Sequence, residues 1–554
     1  MQRIVKQKWL IPGLLIIVLL VSIVLPLCRI FQEALYVNGN IDVSHAWNTL
    51  CQQGNMRTII NSLQLGVVVV IASTLIASPI AYLLSKTSLA KHGWLDIVCM
   101  IPFMTPPYIS SMGWILFMQK NGMLQQLFPQ LSWISEYFFS FWGLALVMSF
   151  HVFPFMVTIL KNAFLNINSS LEEAGEICGA GFFSRLWHIV IPLVKGNLAI
   201  GALLVFVKTI SEYGTPATLG QRIGFDVFTT DIHRYSTTTP IDFGKSATLS
   251  SVLIMVCLGL WMLQTYITNR HTYALVNGKG KRVVQRKLSC SKAMMAWGYF
   301  LILLLIAIGI PYFSIIMTSF IKLRGYGLQA GNFTVQHYID LFTQNAKGIA
   351  AMKTTFLLAS SSATIATVFG TLVVLLIRKA NPRVKKLIEC IALLPEMLPG
   401  IVMVIALMLF WNGLYQVIPI YNTQFLLMLT FVILFLPYTV QYVTSSLTQV
   451  NDYLVQAGHT FGGSTWYVFR RILFPLIMPG AITGWIMTFI ISFRELVAPS
   501  MMAPPNVLTI STFIVREFEQ GSVSVGMAMA VICVLITTGV LLLIRILTKG
   551  RGTL

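Results

Sequence analysis

The chain has 554 residues, 56% of them hydrophobic and only 10% charged, with a formal net charge of +20. A water-facing globular surface needs about a quarter of its residues charged, so this composition excludes an ordinary soluble domain. The eight cysteines (Cys28, Cys51, Cys99, Cys178, Cys257, Cys290, Cys390, Cys533) are scattered without a CxxC pair, so neither a zinc site nor a redox motif is supported.

In chain order, Arg3, Lys6 and Lys8 come first and precede an apolar run from Trp9 to Leu27. That run is too long for a signal-peptide core and no small-x-small cleavage site follows, so it reads as an uncleaved first span. Further apolar runs recur, each of about eighteen residues or more, enough to cross a hydrocarbon core of about 30 Å at roughly 1.5 Å per residue. Continuous runs such as Leu301–Ile310 fit helices, whereas barrel strands would alternate. Twelve spans are expected: 9–28, 59–84, 94–118, 140–163, 197–218 and 246–268, then 296–318, 354–377, 388–411, 424–445, 479–499 and 524–547.

An even number of spans puts both termini and the central segment 269–292 on one side. Between them, the loops on that side carry 25 of the 38 Lys and Arg residues but six of the 18 acidic ones (Asp96, Glu172, Glu173, Glu176, Glu389, Asp452). Basic loops stay cytoplasmic, so the termini are expected inside. The basic balance then faces an anionic membrane leaflet, with no call for nucleic acid.

The sequence repeats. Ile101-Pro102-Phe103-Met104-Thr105-Pro106 matches Leu394-Pro395-Glu396-Met397-Leu398-Pro399 at a shift of 293, and Phe153-Pro154-Phe155 matches Leu436-Pro437-Tyr438 at a shift of 283. The second shift also carries Glu173 onto Gln456, Gly179 onto Gly462, Pro192 onto Pro475, Glu212 onto Glu495 and Pro216 onto Pro499. Both halves run from inside to inside, so the repeat is parallel. The expected fold is an all-α polytopic membrane protein of about 12 transmembrane helices in two six-helix repeats. Residues 1–268 form the first lobe, 269–292 a cytoplasmic linker and 293–554 the second lobe.

The polar loops 165–195 and 447–478 carry one motif twice. Glu173-Ala174-Gly175 is followed by Gly179 and by Ile189 and Pro192; Gln456-Ala457-Gly458 is followed by Gly462 and by Ile472 and Pro475, at identical spacing. On elementary grounds Glu173 to Ile177 forms a short helix that Gly179 and Gly181 break. A second helix, about Phe183 to Ile191, is expected to end near Pro192, where the next span begins. Two short helices at an angle make a knob that can seat in a partner's groove. The pattern closely resembles the coupling motif of ABC importer permeases, E-A-A-x3-G-x9-I-x-L-P. The resemblance implies two copies of a cytoplasmic ATPase on the knobs, with ATP and Mg held by that partner and no cofactor on this chain. It also implies an external solute-binding protein and a multi-pass location in the bacterial inner membrane, in contact with lipid. Gln456 cannot form the ion pair open to Glu173; Arg470 and Arg471 beside the second copy read as positive-inside anchors.

Ionisable residues within spans are candidates for a translocation path or outer gate. Lys208 and Glu212 stand one helical turn apart, with Tyr213 following; Arg494 and Glu495 occupy the matching place, and Glu396 lies between Pro395 and Pro399. The segments 212–216 and 495–499 read either as broken helix ends lining an outer gate or as interfacial capping acids. Catalytic motifs are missing from the sequence: Gly244-Lys245-Ser246 resembles the end of a phosphate loop, but Thr239 stands where its first glycine is needed. An ion-coupled secondary transporter is the rival class, and the paired loops argue against it. The two-lobe layout and the segment 225–232 resemble ferric-iron importers, with phosphonate, thiamine, polyamine and sulfate permeases as relatives.

The topology is directly testable. A cysteine at Gly280 is expected to resist an impermeant thiol reagent added to sealed cells, while one at Gly331 reacts. Labelling at Gly280 would overturn the orientation.

Overall fold

The computed structural model describes residues 13–37, 40–271, 285 and 287–548. Arg3, Lys6, Lys8 and most of the 269–292 linker lie outside the described residues. Among the described residues, strands are confined to one short antiparallel ladder, Tyr36–Val37 against Asn40–Ile41. Among those residues ten helices are long and apolar enough to cross a membrane, and the bent pair Pro382–Met397 and Gly400–Gly413 makes an eleventh span if taken as one.

The first half supplies α1 (Gly13–Leu35), α2 (Gln53–Lys86), α3 (Trp94–Met104), α4 (Pro107–Met118), α5 (Phe141–Leu165), α6 (Ser169–Ile177), α7 (Phe182–Ser211), α8 (Phe228–Thr237) and α9 (Phe243–His271). The second supplies α10 (Cys290–Phe320), α11 (Ala346–Lys379), α12 (Pro382–Met397), α13 (Gly400–Gly413), α14 (Gln424–Thr448), α15 (Asp452–Thr460), α16 (Thr465–Phe493), α17 (Val497–Met502), α18 (Ile510–Glu519) and α19 (Val523–Thr548). The protein is thus an all-α polytopic membrane protein whose two halves repeat the same helix order.

Three expectations need correction. The spans 94–118 and 388–411 are not continuous: each breaks before a proline. Thr105 (ψ 132°) precedes Pro106, and Leu398 (ψ 152°) precedes Pro399. A proline ring clashes with the α conformation of the residue before it and pushes that residue into the extended region; α12 and α13 diverge by 108° as a result. Around the first break, the Thr105 hydroxyl donates to the Ile101 carbonyl at 3.0 Å and lies 2.7 Å from the Tyr312 hydroxyl.

The second correction concerns Pro192 and Pro475, which do not end a helix. One wide turn precedes each, at Leu186–Val190 and Phe469–Leu473, where the N–H of Ile191 reaches the Leu186 carbonyl and that of Phe474 the Phe469 carbonyl. The five-residue bonds let the helix pass a residue that has no N–H. The same device precedes Pro26 and Pro311, at Leu20–Val24 and Leu305–Gly309. The far ends of α7 and α16 stop short of the expected 218 and 499, at Ser211 and Phe493.

The helices gather into two compact units: one holds Met1–Leu50, Ile232–Ile254 and Val335–Leu554, the other Cys51–Asp231 and Met255–Thr334. Three helices form the centre of each, α11, α14 and α16 in the first of these units, α2, α5 and α7 in the second. Their approach rests on small residues, as helix contacts in lipid do. A Cβ on Gly201 would come within 2.8 Å of the Met156 sulfur, and one on Gly484 within 3.0 Å of the Thr439 Cα. In each unit the broken third span is covered by the first helix of the other sequence half: α1 packs on α13, and α10 on α4.

The α4–α10 contact has no room to spare. A Cβ on Gly113 would sit 2.6 Å from the Pro311 carbonyl oxygen and 2.8 Å from its Cα, both backbone atoms that cannot rotate away. Gly113→Leu is expected to destabilise the protein by about 1–3 kcal/mol, the usual penalty for overpacking. Gly259→Leu, with nothing within 4 Å of its Cβ, serves as control. Thermal unfolding of both purified variants in detergent decides; equal midpoints would contradict the contact.

Candidate functional site

The two polar loops fold into matching knobs. Asn168 caps α6, its side-chain oxygen accepting from the Ser170 N–H at 3.2 Å; Asn451 caps α15, accepting from the Tyr453 N–H at 3.0 Å. At the other end of each helix the chain turns through a glycine with positive φ, +84° at Gly179 and +78° at Gly462. An L side chain in that conformation crowds its own carbonyl, which is why glycine stands there. The turn closes on the last carbonyls of the helix: Ala180 N–H donates to Gly175 O at 2.9 Å, and Gly463 N–H to Gly458 O at 3.0 Å.

After the turn the second arm runs without interruption into α7 or α16, so the knob is rooted in a spanning helix. Geometry accounts for the motif's spacing, because its two ends meet. A Cβ on Gly175 would lie 2.8 Å from Ile189 Cδ1, and one on Gly458 would lie 2.6 Å from Ile472 Cδ1. The third motif residue and the isoleucine fourteen positions later thus close the angle between the arms. Glu173, Ala174, Gln456 and Ala457 all face outward, exposed. Around them stand large apolar side chains with little cover: Ile177 is 87% and Phe461 91% exposed, with Phe183, Trp187 and Trp466 also exposed.

The knobs are held differently, and sequence reasoning missed how. In the first, the Lys86 ammonium at the end of α2 meets the Glu172 carboxylate at 2.9 Å and donates to the Ile167 carbonyl at 3.2 Å. Both residues are buried. Glu176 pairs with Arg185, joining the two arms. In the second, Val455 stands in place of Glu172 and Val468 in place of Arg185; Arg378 at the end of α11 pairs instead with Asp452, whose side chain is 76% exposed. The Asn caps were legible as helix-start signals. The Lys86–Glu172 pair was not, since 86 positions separate its members and each looked like an ordinary loop charge.

At the opposite ends of α7 and α16 the helix breaks are symmetric. The Glu212 carboxylate accepts from the Thr215 N–H at 3.0 and 3.1 Å, and the Glu495 carboxylate from the Val497 N–H at 2.9 Å. Each acid therefore caps the turn that follows it. Its own carbonyl is taken by a hydroxyl further on: Thr229 donates to Glu212 O at 2.8 Å, and Ser511 to Glu495 O at 2.5 Å. The segments bearing those hydroxyls are in turn tied to a long helix, by Phe228 N–H to Ser62 Oγ at 2.7 Å and Ile510 N–H to Thr355 Oγ1 at 2.8 Å. Asp231, in the 225–232 segment, accepts from Thr58 at 2.5 Å.

Among the other candidates, Tyr213 is buried, and Lys208 holds its ammonium 5.9 Å from the centre of the Phe155 ring. Glu396 accepts from the Gln441 amide. Arg494 and Glu495 follow the end of α16, where their N–H groups donate back to Ile491 and Ser492. Glu212, Lys208 and Tyr213 lie in one compact unit, and Glu396, Arg494 and Glu495 in the other. Among the described residues no group of three or more His, Cys, Asp or Glu side chains could hold a metal ion.

Comparison with known proteins agrees with this geometry. The chain is 25% identical to the ferric transport system permease protein FbpB of Actinobacillus pleuropneumoniae, over 97% of this chain and 78% of that one. A putative ferric transport system permease protein, FbpB 1 of Haemophilus influenzae, is 26% identical over 87% of this chain and 76% of its own length. The spermidine/putrescine transport system permease protein PotC of Shigella flexneri is 28% identical over 91% of its own length but only 44% of this chain. The family described as binding-protein-dependent transport system inner membrane component matches residues 8–273 and 364–550. With its helix repeat and its paired knobs, the chain belongs to that family of transport permeases.

Proposed function

We propose that this chain is the membrane-spanning subunit of an ATP-driven importer, passing ferric iron from an external binding protein to the cytoplasm. The observation that carries the reading is the duplicated knob: the same glycine turn, the same closed angle and the same uncovered apolar rim, each rooted in a spanning helix. Two copies of a cytoplasmic ATPase, one per knob, cover those rims, and ATP and Mg sit on that partner. Iron as the cargo is supported by the names of the relatives that match most of the chain. The charge balance of the loops supports an inside location for the knobs and both termini.

The breaks after Ser211 and Phe493 then face outward, where the binding protein docks. Glu212 and Glu495 have the role of holding the broken ends, since both carboxylates are engaged with backbone N–H groups. This joins the two alternatives raised by the sequence: the acids are caps, and what they cap is the wall of the gate.

Replacing Gly179 and Gly462 together with leucine forces two L side chains into the left-handed region, at about 1–2 kcal/mol each, and opens both knobs. Uptake of radioactive ferric iron is expected to vanish while membrane insertion persists. Normal uptake by a correctly inserted double variant would refute the coupling role; uptake of another solute by the wild-type system, with ferric iron ignored, would refute the cargo.

Glu173 and Gln456 are both exposed and available to a partner. A hydrogen bond to a charged group contributes about 1.5–3 kcal/mol against about 0.5–1.5 kcal/mol for a neutral one. Glu173→Gln is therefore expected to weaken ATPase retention more than Gln456→Ala does, with the difference shrinking at high salt. Co-purification across a salt series reads this out, and equal losses at low salt would move the anchor to the apolar rim.

A further inference from the structure

We propose that Lys86 is a positioning residue that latches the first knob to α2, and that through this latch the ATPase drives the first half of the permease more directly than the second. The proposal rests on the knobs being the ATPase contact.

The first knob is attached to the membrane core at two places. One is covalent: its second arm continues as α7. The other is the Lys86–Glu172 pair, 2.9 Å long, between the last residue of α2 and the first turn of α6. Lys86 is 3% and Glu172 7% exposed. A buried pair lacking one member strands a charge away from water, so the two groups resist separation. Lys86 also donates to the Ile167 carbonyl at 3.2 Å, which fixes the ammonium against the loop entering α6. α2 has 34 residues, about 51 Å at 1.5 Å per residue, and packs along α5 and α7. A displacement of the knob is thus delivered to both α2 and α7.

Among the described residues the second half shows a different arrangement. Val455 occupies the place of Glu172, which rules out the same ion pair whatever the conformation of its surroundings. Its pair, Arg378 with Asp452, joins α11 to α15 through a carboxylate that is largely in solvent. Exposed pairs of this kind exchange readily with water and hold little. The second knob therefore transmits chiefly through α16.

The test uses the complete transporter, with its ATPase and binding protein, in proteoliposomes, measuring uptake of radioactive ferric iron and ATP hydrolysis on the same vesicles. Lys86→Met and Glu172→Gln are each expected to retain the ATPase yet lower the iron moved per ATP by about tenfold, within the range of coupling mutations. Arg378→Met is expected to change that ratio by less than about twofold. Because the two residues act as one device, the effects of Lys86→Met and Glu172→Gln overlap in the double variant and do not add. Should either single variant fail to assemble, Lys86→Met combined with Glu172→Leu leaves no orphaned charge and carries the test, with uncoupled hydrolysis expected. A wild-type ratio in the assembled single or double variants, additive losses, or an equal loss from Arg378→Met would overturn the latch. Failure of the wild-type chain to retain the ATPase would instead overturn the functional reading on which it rests.

Discussion

Backbone N–H and C=O groups in a membrane have no water to fall back on, and each one left unpaired costs several kcal/mol. Most of this chain meets the demand with long uninterrupted helices. Several prolines, among them Pro79, Pro154 and Pro437, sit inside continuous helices; elsewhere the chain departs from a plain helix in two ways. Before Pro26, Pro192, Pro311 and Pro475 the helix widens by one residue and continues. Before Pro106 and Pro399, and after Ser211 and Phe493, it stops. At the latter two breaks the freed groups are met by Glu212, Thr229, Glu495 and Ser511. Polar side chains inside the apolar sequence thus serve first to make the breaks tolerable.

Those hydrogen bonds also show how far the two halves have kept one design. Ser62 and Thr355 each accept the first N–H of the helix that returns from the break, and Thr229 and Ser511 each donate to the carbonyl of the capping acid. Different residue types perform the same bond at matching places, because a serine or a threonine hydroxyl satisfies the backbone equally well. The knobs follow another rule. Their glycine turns are alike, since the left-handed conformation favours glycine, whereas the contacts that pin them have diverged: Lys86 with Glu172 and Arg185 with Glu176 on one side, Arg378 with a largely exposed Asp452 on the other.

The exchange of first helices has a physical consequence of its own. A broken third span presents backbone on both sides of its bend, and the neighbour covering it must approach closely. α10 does so against α4 through Gly113, and α1 takes the equivalent position on α13. Each sequence half therefore completes its packing with a helix borrowed from the other, and the compact units divide the chain differently from the repeat.

Hydropathy and repeat spacing alone determined that the chain is helical, crosses the membrane many times, is duplicated, and carries two glycine-hinged knobs. Each of these follows from local chemistry: apolar run length, a proline or glycine at a fixed place, a motif within thirty residues. Even the breaks at Thr105-Pro106 and Leu398-Pro399 were present as repeated prolines, although composition read straight through them, since an apolar run looks the same whether bent or straight. Tertiary structure decided the rest. Which first helix covers which third span, and that Lys86 finds Glu172, depend on residues far apart in the chain meeting in a buried place; that Glu212 and Glu495 turn back on their own backbone is a local bond, which decides between the two readings the sequence left open. Nothing in the identity of a lysine at a helix end distinguishes a solvated anchor from one member of a buried pair; only the packing that removes water from around it does.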